Sequence, residues 1–596
     1  MTTTDLTQVA WDLSHLLDGQ GEEAIDAYLD RADRAADRLA ARRGQVASFD
    51  QGEIRAFMEE MAELEELVGR AQAYASLRFA TATAEPARGA LLQKVQERVT
   101  AVSTKLVFFE VEWAALSDEQ VADLLRAEGI DFCRHHLQNA RRYRQHVLSE
   151  SEEKILTEKS VTGRGAWNRL FSQLTSAVEV NLDGRTTGLE EALSELGNPD
   201  RERRRAAAEA VTAGLAPGLP TRAFIFNTLL LDKSVDDRLR HYDHWLASRN
   251  LANEASDDSV QALVQAVRNR FDVPQRWYSL KAQLLGVERL ADYDRLASVA
   301  EEDTQVPWDE ARTIVIDSYA SFSPSMAEVA ERFFDEHWID APVRPGKRGG
   351  AFCSYTVPSV HPYVMLNYTS RPTDVLTLAH ELGHGLHAYL ARHQGPFHQS
   401  TPLTLAETAS VFGETVVFGR LLGEAPDPEA RLSLLAANLD GQVATVFRQT
   451  AMNQFEDRAH RARRSEGELS AERIGDIWAE TQSELLGDSV TITEGYRTWW
   501  SYIPHFIGTP GYVYAYSYGQ LLALSVYRQY TEQGSDFVPR YLHLLESGGS
   551  DRPEALAKIV GCDLADPGFW DGGLAIIEEQ LEEAETVAHQ AGRIAS

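Results

Sequence analysis

The amino-acid sequence predicts a mainly α-helical protein with one small β-sheet. Apolar residues recur every three or four positions through most of the 596 residues, which is the period of an amphipathic helix. Turn-forming residues are sparse before position 180. Stretches rich in aromatic and β-branched residues, which favour strands, are short and lie near position 180 and between positions 351 and 368.

The first 180 residues are predicted to form successive helices. The helical period runs through residues 22–43, 51–73 and 90–115. A further helix is predicted to begin after Ser149, because Ser149 can cap it and the acids that follow lie in its first turn.

A break in the helical pattern follows. Residues 178–180 have strand character and precede Asp183-Gly184, a pair typical of hairpin turns. A Gly-Asn-Pro turn then leads to Asp200, which can cap the next helix. We therefore predict a domain boundary at this break. The predicted division is a helical N-terminal region at 1–197 and a second, catalytic domain at 198–596.

A small sheet is predicted in the second domain. A loop rich in proline and glycine begins near Pro342, and two short strands follow it. After the strands the helical period returns and continues to the end of the chain. The predicted elements are strands at 351–357 and 363–368, helices at 373–392 and 403–414, and an acidic amphipathic helix at 574–591.

Composition and charge limit the class of protein and its partners. The 58 basic and 90 acidic residues give a net charge of −32, so neither nucleic acid nor an anionic membrane is an expected partner, because phosphates would be repelled. No apolar stretch approaches the roughly 18 residues of a membrane span. The N-terminus lacks the segments of a secretory signal, so the cytoplasm is the expected compartment. Three scattered cysteines without a CxxC pair predict neither a disulfide framework nor a thiolate zinc site.

One motif indicates chemistry. The sequence His380-Glu381-Leu382-Gly383-His384 is an HExxH pattern inside a predicted helix. Residues four apart lie on the same face of a helix, so the two histidines can bind one Zn²⁺ through their ring nitrogens. Glu381 projects beside them, where it can accept a proton from the attacking water. The sequence therefore predicts one zinc ion per chain, although two exposed helix histidines would show the same spacing.

A catalytic zinc site needs a third protein ligand and an open position. The longer pattern HExxHxxGxxH does not continue here, since its glycine and last histidine positions hold His387 and Leu390. Glu407 is the predicted third ligand, because a carboxylate on the apolar face of the next helix needs a positive partner. Glu414 lies two turns further on. It is predicted to support the site, with a ligand role left open.

These residues and their surroundings resemble the oligoendopeptidase F branch of the thimet-oligopeptidase-like metallopeptidases. The resemblance lies in the HELGH helix, in the glutamate of Leu-Ala-Glu-Thr-Ala-Ser at 405–410, and in the Gly-Gly-Ala-Phe that precedes His-Pro-Tyr-Val at 361–364. Three N-terminal stretches, at 11–14, 148–156 and 162–167, are also similar to this branch. The resemblance therefore covers most of the chain.

The resemblance implies an ellipsoidal helical peptidase with a deep substrate channel. The zinc site would lie at the bottom of the channel, the small sheet beside the HExxH helix, and the N-terminal region along the channel wall. His380, His384 and Glu407 would be the metal ligands, and Glu381 the catalytic glutamate. Enzymes of this family cleave short unfolded peptides and exclude folded proteins, so oligopeptides are the implied substrates.

Residues 503–516 are similar to the family's histidine and tyrosine segment. A phenol or imidazole aimed at the scissile carbonyl can stabilise the developing oxyanion, and the residues favoured for this role are His505, Tyr512 and Tyr516. Alternating tyrosines are equally typical of a half-buried strand or the start of a helix. Glycines in this segment would also let it move over a substrate.

The functional hypothesis is a zinc-dependent endopeptidase that hydrolyses internal bonds of oligopeptides. One alternative is a zinc carboxypeptidase or dipeptidase, which would act at the ends of a peptide. Another is an inactive helical peptide-binding protein. The presence of all three predicted metal ligands and of the predicted base argues against this alternative. Cleavage-site preference and oligomeric state are left open by the sequence.

Overall fold

The computed structural model describes residues 4–160, 162–299, 305–566 and 568–594. The described residues are mainly helical, which confirms the predicted fold class. Up to residue 299 the helices are α1 (Ile25–Ala40), α2 (Gln51–Ala80), α3 (Pro86–Ala115), α4 (Asp118–Leu124), α5 (Arg134–Arg142), α6 (Glu150–Ser160), α7 (Arg164–Ser176), α8 (Leu189–Ser194), α9 (Arg201–Leu215), α10 (Leu219–Leu239), α11 (Ala247–Ala252), α12 (Asp257–Asn269) and α13 (Asp272–Leu284).

The described second half of the chain holds the remaining α-helices. They are α14 (Trp308–Phe322), α15 (Pro324–Asp335), α16 (Pro372–Ala391), α17 (Leu403–Gly423), α18 (Pro428–Gln442), α19 (Gln449–Glu466), α20 (Ala471–Leu486), α21 (His505–Gly508), α22 (Tyr514–Gln533), α23 (Val538–Ser547), α24 (Pro553–Ile559) and α25 (Phe569–Gln590). The strands are β1 (Glu179–Leu182), β2 (Arg185–Gly188), β3 (Leu290–Ala291), β4 (Ile339–Pro342), β5 (Phe352–Ser354), β6 (Tyr363–Tyr368) and β7 (Val490–Thr491).

Contacts group the chain into two compact units, each built from three separate segments. The first unit contains residues 1–150, 304–420 and 526–563, and the second contains residues 151–303, 421–525 and 564–596. The boundary predicted after residue 197 falls inside the second unit. The compact units therefore differ from the predicted domains, and the functional division at that boundary stays a prediction.

The first unit has a helical core and the small sheet. Helices α1, α2 and α3 bury their apolar faces against one another, and Asp50 caps α2 by accepting hydrogen bonds from the backbone N–H groups of Gly52 and Glu53. In the sheet, β6 lies between β4, to which it is parallel, and β5, to which it is antiparallel. The sheet contacts α16, the helix of the HExxH motif, as predicted.

Two details of this sheet differ from the prediction. Strand β4 was not predicted, because it has only four residues and ends at Pro342, where the sequence predicts a loop. Strand β5 is shorter than the predicted 351–357. It ends at Ser354, and Thr356 has a left-handed φ of 58°, which turns the chain out of the strand.

The second unit contains the predicted hairpin. Strands β1 and β2 pair in antiparallel register, and Asp183 and Gly184 take φ values of 53° and 80°, as a two-residue hairpin turn requires. Asp200 caps α9 by accepting a hydrogen bond from the N–H of Glu202 at 2.9 Å, also as predicted. The predicted acidic helix is α25, which begins earlier, at Phe569, and packs along α18.

Within the described ranges, the helices are all too short or too polar to cross a membrane.

Candidate active site

The HExxH motif lies on α16, which begins and ends within one residue of its predicted bounds. Pro372 occupies the first turn, and the Asp374 carboxylate accepts hydrogen bonds from the N–H groups of Thr369 at 2.6 Å and Arg371 at 3.1 Å, which stabilises the helix start. The buried apolar face of the helix consists of Val375, Leu378, Ala379, Leu382 and Leu386. One turn apart on this rigid helix, the His380 and His384 rings have centroids 5.0 Å apart.

Helix α17 packs against α16 at Gly383. A Cβ atom at this position would lie 2.5 Å from the carbonyl oxygen of Ala409 and 2.6 Å from Cα of Ser410. Both are backbone atoms of α17, so only glycine allows the two helices to come this close. Glu407 lies half a turn before the contact. The close packing therefore brings its carboxylate to the two imidazoles.

The three predicted ligand atoms converge. Glu407 Oε2 lies 3.3 Å from Nε2 of His380 and 3.5 Å from Nε2 of His384. Ligand atoms of a tetrahedral zinc site with bonds of about 2.0–2.1 Å lie roughly 3.3–3.4 Å from one another. Two imidazoles and one carboxylate at these separations fit a zinc ion and leave its fourth position open. Within the part of the chain that the structure describes, no other group of three His, Cys, Asp or Glu side chains is arranged this way.

Glu414 lies behind His380. Its Oε2 atom is 3.0 Å from Nδ1 of His380, on the opposite side of the ring from the nitrogen that faces Glu407. A hydrogen on Nδ1 that is donated to Glu414 leaves the lone pair of Nε2 available to a metal. This contact agrees with the supporting role predicted for Glu414. Ser410 similarly supports Glu407 by donating its hydroxyl to Oε2 at 2.7 Å.

The charges of the metal-free ligands depend on one another. Burial alone favours neutral His380, but its hydrogen bonds to Glu407 and Glu414 hold its pKa well above the usual value. Burial lowers the pKa of His384 to about 4. Burial alone would raise the pKa of Glu407, but the hydrogen bond from His380 and the nearby imidazoles lower it to about 2. The carboxylate is therefore ionised and His384 is neutral at pH 7, as metal binding requires.

Glu381 is the most enclosed carboxylate of the site, with 8% of its surface exposed. Burial raises its pKa to about 7, and the neighbouring Glu407 adds to this rise, while His380 and the backbone N–H of Cys353 oppose it. A carboxylate with a pKa near 7 can take up and release a proton at neutral pH. Glu381 is thus suited to the predicted role of a general base, which stays a prediction.

Glu381 and the three ligands line a cavity of about 450 Å³, together with Ala351, Phe352, Cys353, Tyr355, Ser400, Thr401 and Ala406. One wall is formed by β5, the edge strand of the sheet. Cys353 and Tyr355 were not among the predicted site residues. Their only sequence signal is that they belong to the strand predicted next to the HExxH helix.

Tyr319 on α14 contacts both helices of the site. Its buried hydroxyl donates to the carbonyl oxygen of Ala379, directly before His380, at 2.6 Å. Gly413 on α17 leaves room for this phenol, since a Cβ there would lie 2.5 Å from the hydroxyl oxygen. Tyr319 could not be predicted as part of the site, because no local pattern relates it to a residue 60 positions away in the chain.

The predicted oxyanion residues lie in the second compact unit. Nε2 of His505 lies 3.2 Å from the hydroxyl of Tyr516, and the Tyr512 ring stacks on His505 with centroids 6.2 Å apart. The structure thus brings these three residues together as one cluster. Tyr516 is in the first turn of α22, so the tyrosines mark the start of a helix. Burial and the charge of Arg448 lower the pKa of His505.

The loop between α21 and α22 is held by side chains of the same unit. Arg164 donates to the carbonyl oxygen of Gly508 at 3.0 Å, and the buried carboxylate of Glu456 accepts from the N–H of Gly511 at 2.9 Å. Gly511 has a left-handed φ of 73°, and a Cβ there would lie 2.5 Å from Cδ1 of Leu246. Movement of this loop over a substrate stays a prediction.

Comparison with known proteins relates most of the chain to oligopeptidases. The model of peptidase family M3 matches residues 195–576, and that of oligopeptidase F matches residues 112–179. Oligopeptidase PepF of Bacillus subtilis (strain 168) is 26% identical over 532 residues, which cover 87% of this chain and 79% of PepF. Group B oligopeptidase PepB of Streptococcus agalactiae serotype III (strain NEM316) is 27% identical over 508 residues, which cover 83% of this chain and 84% of PepB.

A solved structure shares the fold. The crystal structure of oligoendopeptidase-F from Enterococcus faecium matches with a TM-score of 0.73 and 22% identity, and the match covers 96% of this chain and 99% of that one.

The helical fold and the HExxH site define a metallopeptidase. The matched family model covers more than half of the chain. The chain belongs to peptidase family M3, and the resemblance seen in the sequence is confirmed.

Proposed function

We propose that this peptidase is a zinc-dependent endopeptidase that cleaves internal bonds of short, unfolded oligopeptides. The observation that supports it best is the convergence of two imidazole nitrogens and one carboxylate oxygen at separations that suit a single zinc ion. A buried carboxylate, Glu381, lies beside them in the same cavity. The relatives named oligopeptidase or oligoendopeptidase support peptides as the substrate class. Restriction to short peptides by a deep channel is part of this proposal.

His380, His384 and Glu407 would hold the ion. Zinc bound there would polarise the scissile carbonyl and lower the pKa of the attacking water. Glu381 takes a proton from this water as the water attacks the carbonyl carbon. The same carboxyl then gives that proton to the leaving amine, so Glu381 ends in the state in which it began.

The edge strand gives the substrate a place to bind. Because β5 lines the cavity and is the last strand of its sheet, an extended peptide can pair with its free edge through main-chain hydrogen bonds. Such pairing depends little on side chains, which suits an enzyme for varied oligopeptides. We assign support of the oxyanion to the cluster of His505, Tyr512 and Tyr516. Replacing Tyr516 by Phe should then lower kcat on the order of 10²–10³-fold.

The test combines a variant with product mapping. Glu381→Gln should keep its zinc, because Glu381 is not among the three ligands, but should lose nearly all hydrolysis of a quenched fluorescent peptide. Metal content measured on the same preparation is the control. Substantial turnover by metal-replete Glu381→Gln would contradict the assigned base.

Mass spectrometry of the products from one decapeptide separates the types of peptidase. Internal cuts support the endopeptidase, whereas stepwise loss of residues from one end would show a carboxypeptidase or dipeptidase. A wild-type protein that binds zinc but cleaves no peptide from a mixed library would refute the proposed function.

A further inference from the structure

Tyr355 faces the reactive groups of the first unit. It lines the same cavity as Glu381, His384 and Glu407, and its ring centroid lies 6.4 Å from that of His384. It also interacts electrostatically with both carboxylates. Nothing in the HExxH chemistry assigned above uses this residue.

The backbone around Tyr355 is fixed on both sides. Before it, Ser354 pairs with Tyr363 across the sheet. After it, Thr356 is left-handed and donates its hydroxyl to the carbonyl oxygen of His361 at 2.9 Å. The next residue, Val357, is buried against α2, where a Cβ at Gly69 would lie 2.4 Å from it. Tyr355 is therefore part of a rigid framework, the kind of support that a precisely aimed group needs.

The hydroxyl of Tyr355 has no hydrogen-bond partner among the described residues. Four buried tyrosines of the same unit donate their hydroxyls to backbone carbonyl oxygens: Tyr319 to Ala379, Tyr363 to Asp12, Tyr368 to Val306 and Tyr541 to Thr408. A phenol enclosed beside two carboxylates and one imidazole is an unusual place for an unused donor. Packing of the ring alone would be served equally well by phenylalanine, which has the same ring without the hydroxyl.

We propose that the Tyr355 hydroxyl donates a hydrogen bond to the carbonyl oxygen of the scissile peptide bond as negative charge develops on it. This inference rests on the proposed peptidase function. A phenol is protonated at neutral pH and so can only donate to an anionic oxygen. Donors fixed in advance toward a developing oxyanion act mainly in the transition state. Tyr355 would thus act from the strand side of the cavity.

The test compares Tyr355→Phe with a matched control. Tyr293→Phe removes the same hydroxyl from a half-buried tyrosine outside this cavity. Tyr355→Phe should lower kcat and kcat/KM together by about 10²-fold, with KM changed less than about threefold. Tyr293→Phe should match the wild type in all three. Zinc content and melting temperature should be unchanged in both variants.

A binding measurement gives a readout that does not depend on turnover. A phosphinic peptide mimics the tetrahedral state, so its affinity for zinc-loaded Tyr355→Phe should fall by the same factor as kcat/KM. The affinity for an uncleaved substrate peptide is compared between two inactive variants. The double variant Glu381→Gln/Tyr355→Phe should bind this peptide about as tightly as Glu381→Gln alone.

Three results would overturn the inference: unchanged kcat and phosphinic-peptide affinity, a change confined to KM, or loss of zinc from Tyr355→Phe. Unchanged kcat and affinity would mean that the hydroxyl does not contribute to catalysis. A change confined to KM would mean that it contacts the substrate only in the ground state. Loss of zinc would mean that it supports the metal site. These results differ from failure of the proposed function, which would appear in the wild-type protein as zinc binding without hydrolysis.

Discussion

Gly383 offers a direct test of how the fold assembles the metal site. The substitution Gly383→Ala places a methyl group 2.5 Å from the Ala409 carbonyl oxygen, where ordinary contact begins at 3.4 Å. The difference is about 0.9 Å, and because the obstructing atoms are backbone, α17 must move by about this distance. Glu407 moves with its helix. Metal–ligand distances tolerate only about 0.2 Å, so the site loses its geometry.

The expected result is a zinc affinity lowered on the order of 10–100-fold, the range found when the support of metal ligands is removed. Overpacking should also cost about 1–3 kcal/mol of the free energy of unfolding. Zinc affinity is measured by competition with a chromophoric chelator, and stability by denaturant unfolding of the metal-free protein. Both effects come from the same methyl group and should appear together.

The control is Gly419→Ala in the same helix. A Cβ at Gly419 meets only the hydroxyl oxygen of Tyr527, at an ordinary 3.8 Å, so this variant should bind zinc as the wild type does. It should gain up to about 1 kcal/mol from better helix propensity. If Gly383→Ala kept the wild-type affinity for zinc, close packing at Gly383 would not be what positions Glu407.

The remaining predictions concern the charges around the site. Glu414→Gln removes the anionic partner of His380 Nδ1 and should lower zinc affinity about 10–100-fold by chelator competition; an unchanged affinity would rule out this support. The pKa of His380 lies well above its usual value in the metal-free chain, so His380 holds a proton at pH 7 that zinc must displace. Calorimetry in buffers of different ionisation enthalpy should show release of about one proton per zinc ion or more, and release of none would contradict the charge state given to His380. Burial and the charge of Arg448 both lower the pKa of His505, so Arg448→Met should raise this pKa in an NMR titration of the ring. An unchanged or lower pKa would contradict the effect given to Arg448.

Sequence reasoning found the parts of the site that have a local signature. The spacing of His380 and His384 is a property of one helix, and Glu407 is conspicuous as a lone acid on an apolar helical face. The hairpin turn at Asp183-Gly184 was predictable for the same reason, since two residues decide its conformation. The bounds of α16 followed from its own apolar period.

The rest of the site depends on contacts between segments far apart in the chain. The importance of Gly383 comes from its contact with α17, which nothing in the sequence near Gly383 indicates. Tyr355 lies at the site because β5 pairs with β6 beside α16. Strand β4 pairs in parallel with a strand more than 20 residues later, so no turn signal marks it. The two compact units alternate along the chain, and no change of composition at one position could have shown this.

The most direct test of the central claim is an anomalous difference map at the zinc absorption edge, from crystals of this protein grown with zinc. We expect one strong peak per chain, about 2.0–2.2 Å from Nε2 of His380, Nε2 of His384 and a carboxylate oxygen of Glu407. A map with no peak among these three side chains, or one that shows them pointing apart, would contradict the proposed metal site and the peptidase mechanism built on it.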